Sequence, residues 1–108
     1  MNVTELKQLV AVGELESFSE VARRFYVSTP TVARAMKRVE RCYGVELFVH
    51  GKNKVEINEA GRLAVAGAQR ILREIDSSIA EVRADDRILR TIDLDSCAPA
   101  PLWVLAPR

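Results

Sequence analysis

Few side chains in this sequence are equipped for chemistry of their own. One histidine, His50, and two cysteines, Cys42 and Cys97, stand far apart among 108 residues. A structural zinc site or a disulfide scaffold needs more thiols, or thiols closely spaced with histidines. Hydrolysis by a Ser-His-Asp or Cys-His set is formally open to a chain with one histidine, but no nucleophile motif surrounds any serine or cysteine. Neither a G-x-G-x-x-G nor a G-x-x-x-x-G-K-[ST] phosphate loop occurs. The expectation is therefore a protein that is not an enzyme and holds neither metal nor cofactor. Cys42 reads as a small buried hydrophobe and Cys97 as a structural residue at a strand end. What remains is charge. Arg23, Arg24, Arg34, Lys37, Arg38 and Arg41 fall close together with a single acid, Glu40, among them, while the whole chain carries a net charge of only +1. Such a run is either a solvated helix face or a phosphate-contacting surface, and charge alone does not choose.

The elements that hold these cations decide between the two. The chain is 48% hydrophobic and 29% charged, the balance of a small globular domain with at most one connecting element. No run of about 18 apolar residues offers a membrane span, and Met1–Glu5 lacks the basic start and apolar run of a secretion signal, so a cytoplasmic protein is expected. Thr4 can cap a first helix carrying Leu6, Leu9 and Val10. After the connection Glu14–Ser17, Ser19 caps a short second helix containing Val21, Ala22 and Phe25, with Phe18 as a staple before the cap. Tyr26 and Val27 form a tight break. Ser28 caps a third helix with Pro30 in its first turn, and Gly44 stops it after Tyr43. Along that helix Val32, Met36, Val39 and Tyr43 make one apolar stripe. Pro30, Arg34, Lys37 and Arg41 lie on another side, flanked by Thr29, Ala33 and Arg38. A basic stripe opposite a buried one, after a short helix and a tight turn, is a helix-turn-helix, and it fits a major groove.

Two strand-like runs follow, Val45–Val49 and Val55–Ile57, joined by a turn bearing Lys52 and Lys54. A ribbon in this place is a wing. Asn58 caps a fourth helix, Glu59–Ala84, whose length is about 39 Å. Its apolar residues Val65, Ala68, Leu72, Ile75, Ile79 and Val82 keep the 3–4 spacing of a heptad seam. Part of that seam can pack on the N-terminal domain, but a helix of this length outreaches so small a domain, which favours pairing with a second chain. From Asp85 the pattern changes. Thr91–Asp95 alternates like a strand, and an apolar stretch around Trp103 follows.

Ser17–Ala22, Val27–Arg34, Leu47–Phe48 and Val55–Gly61, in this order and spacing, resemble the LysR-type bacterial transcriptional regulators. The resemblance covers about residues 1–63. It implies a mainly α fold: a winged helix-turn-helix of three helices and a two-stranded wing over 1–58, a dimerising linker helix over 59–86, and at 87–108 the start of an effector domain of which the rest is missing. It implies DNA binding as a homodimer, with higher oligomers open, no membrane, and no small-molecule effector for a chain this short. In the family pattern the residue after the helix cap is usually Gln and here is Thr29. A Ser commonly stands at Ala33, and wing positions that are often Arg are His50 and Asn53. The expected DNA contacts are Ser28, Thr29, Pro30, Thr31, Ala33, Arg34, Lys37, Arg38, Arg41, His50, Lys52, Asn53 and Lys54. Among these Arg34 is the foremost base reader, and Lys37, Arg38 and Arg41 are phosphate contacts. The rival reading is a truncated dimerisation module that pairs with related regulators without regulating by itself.

Overall fold

The computed structural model describes residues 1–51 and 54–85. The elements run α1 (Val3–Leu15), α2 (Phe18–Phe25), α3 (Thr29–Tyr43), β1 (Phe48–Gly51), β2 (Lys54–Ile57) and α4 (Glu59–Ala84). The chain divides into two compact units, Met1–Arg70 and the part from Ile71 onward. The first unit is a winged helix-turn-helix, with the strands paired antiparallel so that His50 faces Val55 and Phe48 faces Ile57.

Each helix begins on a side chain that accepts an otherwise unpaired backbone N–H. For α1 this is Asn2, not Thr4. Asn2 Oδ1 takes the Glu5 amide at 2.8 Å, and Glu5 Oε1 takes the Asn2 amide at 3.2 Å, a reciprocal pair that Thr4 with its residue three places on cannot form. For α2 the cap is Ser17, not Ser19: the Glu20 amide donates to Ser17 Oγ at 3.2 Å, and Ser19 is left to bond the Ser17 hydroxyl. Phe18 is thus the first helical residue and not a staple before the cap. Ser28 caps α3, Pro30 sits in its first turn, and Gly44 ends it at φ +76°. Asn58 Oδ1 accepts the Gly61 amide at 2.8 Å at the start of α4.

The core of the first unit is apolar and closed. Leu9 and Val12 of α1, Val21 of α2, and Val32, Met36 and Val39 of α3 are fully buried together with Leu47. The α3 stripe therefore holds for three of its four members. Tyr43 is half exposed, and Cys42 beside it is exposed rather than buried, because the covered part of α3 ends at Val39. Strand β1 starts at Phe48, three residues later than the alternation suggested. Val45 and Glu46 are exposed, and the chain at 47 is turned by bonds to α3 described below. Ala64 and Ala68 of α4 are buried within this unit, and Val65 lies against Gly13 of α1, so the first two seam positions serve the domain core. In the second unit Leu72, Ile75 and Ile79 are half-buried and Val82 is exposed. The strand expected at Thr91–Asp95 lies outside the described residues.

Two residues other than glycine adopt the left-handed conformation, Glu16 at φ 53° and Tyr26 at φ 58°. Both end a helix, where glycine is the residue that bears no Cβ penalty. Tyr26 is 95% exposed, so its side chain returns little packing for the strained backbone. Tyr26→Gly is expected to raise stability by about 1 kcal/mol, read as an upward shift of the thermal midpoint. An unchanged or lowered midpoint would place the ring in a contact that offsets the strain.

Candidate nucleic-acid interface

The helix-turn-helix presents α3 because α1 and α2 cover its other side. From its exposed flank Arg34, Lys37 and Arg41 project at spacings of three and four, one helical face. Of the six clustered basic residues, three are engaged by carboxylates. Arg23 pairs with Glu20 at 2.9 Å, Arg24 with Glu14 at 3.7 Å, and Arg38 donates from Nε to Glu5 Oε2 at 2.8 Å. Arg34, Lys37 and Arg41 have no ion pair among the described residues. The charge run thus resolves into a neutralised scaffold and a free basic stripe. A stripe of this kind attracts phosphate without first having to break a bond.

Arg38 has a scaffold role that its position in the basic run did not reveal. Its partner lies 33 residues away on α1, and Glu5 is 6% exposed. Burial pushes the Glu5 carboxyl up. Its bond to Arg38, the Asn2 amide and the positive charges of Arg38 and the N-terminus outweigh that and hold it below the ordinary carboxylate value. A carboxyl lowered on folding stabilises the fold above its unfolded pKa, and the contribution is lost as pH falls through the lower, folded value. Glu5→Gln is expected to cost about 1–2 kcal/mol near neutral pH and to narrow that gap under acid. Thermal melts across pH check this, and a constant difference at every pH would refute it.

At the head of α3, Ser28 Oγ accepts the Thr31 amide at 3.3 Å and shares a 2.7 Å bond with the Thr31 hydroxyl. Thr29 and Pro30 beside them are exposed, while Thr31 and Ala33 are half-buried. The wing is fastened to this helix by Glu40, which enters the sequence only as the lone acid of the basic run. Its Oε2 accepts the backbone N–H of Leu47 at 2.8 Å and of Phe48 at 3.3 Å. Nothing in local spacing marks that role, since it depends on where the strand returns. A second fastening is aromatic. The Phe18 ring meets Phe48 edge-on at 6.0 Å and the His50 imidazole at 5.8 Å. His50 is thereby held against α2 while exposed on the wing. Lys54 lies 3.7 Å from Glu16 and 3.8 Å from Glu56, so its charge is shared with two carboxylates. Lys52 and Asn53 lie outside the described residues.

Between α3 and β1 these contacts leave a groove of about 260 Å³ lined by Phe18, Ala33, Met36 and Phe48, with Arg34, Lys37, Glu40 and His50 around them. Among the described residues no cluster of His, Cys, Asp and Glu is arranged to hold a metal, and no helix is long and apolar enough to cross a membrane.

A family profile described as "Bacterial regulatory helix-turn-helix protein, lysR family" matches residues 3–62. The HTH-type transcriptional regulator CrgA of Neisseria meningitidis serogroup B is 34% identical over 107 residues, 98% of this chain and 36% of the relative. The dual regulator OxyR of Escherichia coli K12 is 36% identical over 75 residues, 69% of this chain and 25% of the relative. The chain thus spans about a third or less of the length of these curated relatives. In structure it resembles the CbnR DNA-binding domain solved as a DNA complex, with TM-score 0.75, 32% identity, and coverage of 78% of this chain and 97% of that one. The full-length CbnR solved with its target DNA aligns at TM-score 0.74 and 32% identity, covering 78% of this chain and 29% of that one.

Proposed function

Because the chain belongs to the lysR family of bacterial regulatory helix-turn-helix proteins, we propose that its transcriptional role rests on α3 entering the major groove of double-stranded DNA, with the wing beside the adjoining backbone. The observation that carries this reading is the division of the basic cluster. Arg23, Arg24 and Arg38 are held by carboxylates, while Arg34, Lys37 and Arg41 share one exposed face of α3 with no ion pair among the described residues. Arg34 lies in the N-terminal half of α3, where a helix end meets base edges, and its fork matches guanine O6 and N7. Lys37 and Arg41 lie further along and serve phosphates, and the Ser28 cap places backbone N–H groups near another. Arg38 keeps its Glu5 partner and reaches phosphate only with its remaining N–H groups. His50, Lys52, Asn53 and Lys54 form the wing contribution, with that of Lys54 reduced by Glu16 and Glu56.

We place the second chain of a homodimer on the α4 seam from Leu72 to Val82, since the earlier positions Val65 and Ala68 are taken up by the domain itself. For the groove assignment, CbnR solved with its target DNA supports DNA as the partner of this chain.

Binding titrations at several salt concentrations, with competitor DNA present, test the groove assignment. Arg34→Ala should cost about 1–3 kcal/mol on a selected site and relax the preference for one base pair. Lys37→Ala should weaken all sequences alike and lower the slope of log affinity against log salt by about one. Unchanged binding in both variants would refute the assignment.

A further inference from the structure

The groove beside α3 carries a specificity that the basic stripe does not explain. Resting on the placement of α3 in the major groove, we propose that Ala33 reads the 5-methyl group of a thymine next to the base pair read by Arg34. Ala33 is half-buried and lines the groove together with the apolar side chains of Phe18, Met36 and Phe48. It has neither donor nor acceptor on its side chain. The nearby hydroxyls and carboxylate already have partners within the fold. The Ser28 and Thr31 hydroxyls bond each other, and Glu40 Oε2 accepts two wing amides. Arg34, Lys37 and His50 around the groove draw in a polyanion, yet its floor offers that polyanion nothing to hydrogen-bond.

The one apolar group larger than a hydrogen on a major-groove base edge is the thymine methyl. Against Ala33 that methyl is removed from water among carbon atoms. A cytosine in the same place presents only its C5–H there and leaves the space beside Ala33 unfilled, so the position discriminates by loss of contact.

The test uses the full chain and duplexes enriched from a random pool. Each thymine is replaced singly by deoxyuridine, which removes the methyl and nothing else. One thymine adjacent to the Arg34-dependent base pair should show a loss of about fourfold, the burial of one methyl group. Ala33→Gly and Ala33→Ser, checked for folding by circular dichroism, should bind the thymine and deoxyuridine duplexes at that position alike. Indifference of the unaltered protein to every replacement, or a loss that persists in both variants, overturns the inference while leaving Arg34-dependent recognition in place. Failure to enrich any sequence over competitor DNA would instead overturn the major-groove reading on which it rests.

Discussion

Replacing Leu72 and Ile75 together by glutamate is expected to convert a dimer of this chain into a monomer. The seam from Leu72 to Val82 keeps its spacing after the N-terminal unit has ended, and Leu72, Ile75 and Ile79 are half-buried while Val82 is exposed. Closing the remaining third or less of each leucine or isoleucine surface contributes roughly 0.5–1 kcal/mol, and a two-fold interface buries each of them twice. Losing four such side chains removes roughly 2–4 kcal/mol, about two to three orders of magnitude in the dissociation constant, before the cost of desolvating four carboxylates is added. Sedimentation velocity reads the result directly. The helical signal of the N-terminal unit should persist, since neither residue belongs to it, and binding should fall to that of a single half-site. A double variant that stays dimeric would place the contact on another surface.

The second large effect is expected at Gly61. A Cβ there would stand 2.3 Å from the Leu47 carbonyl oxygen and 2.6 Å from Ile57 Cγ2. The oxygen belongs to the backbone and already accepts the Asn58 amide at 3.1 Å, so it cannot withdraw without freeing a bond at the base of the wing. Gly61→Val should therefore cost about 3 kcal/mol, the upper end for overpacking, and lower the thermal midpoint of a domain this size by more than ten degrees, at about 4–8 °C per kcal/mol. DNA affinity of the folded fraction should fall as well, because the displaced residues lead into β1 and the end of β2. A midpoint within two or three degrees of the original would mean that the first turn of α4 can shift away freely.

How far the sequence announced these features depends on the range of the interaction behind each one. The bounds of α3 follow from Ser28, Pro30 and Gly44, and the start of α4 from Asn58, because a cap is a bond between neighbours. The same logic applies to the Asn2 cap, for which Glu5 three residues on is the reciprocal signal that Thr4 lacks. Ser17 and Ser19 were a closer choice. Starting the helix at Phe18 leaves its ring against Phe48 and His50, contacts made thirty residues away. The basic face was legible as composition, but its division into paired and free cations was not. The Arg23–Glu20 pair is local to α2, but the pairing of Arg24 and Arg38 depends on Glu14 and Glu5 of α1. Cys42 is exposed although it lies beside the apolar stripe, because periodicity describes a face of a helix and not how far along the helix the neighbouring elements extend.

Tyr26 gives the fold a latent capacity. Base-reading positions on a recognition helix change partners only through intermediates that are often less stable than their parent, and a small domain tolerates little such loss before it unfolds. A left-handed turn occupied by tyrosine keeps about 1 kcal/mol in reserve that one substitution can release. Installed first, Tyr26→Gly would widen the set of changes at Thr29, Ala33 and Arg34 that still yield a folded protein. The corner of the helix-turn-helix, outside the predicted contact set, would then govern how readily this chain acquires a new operator.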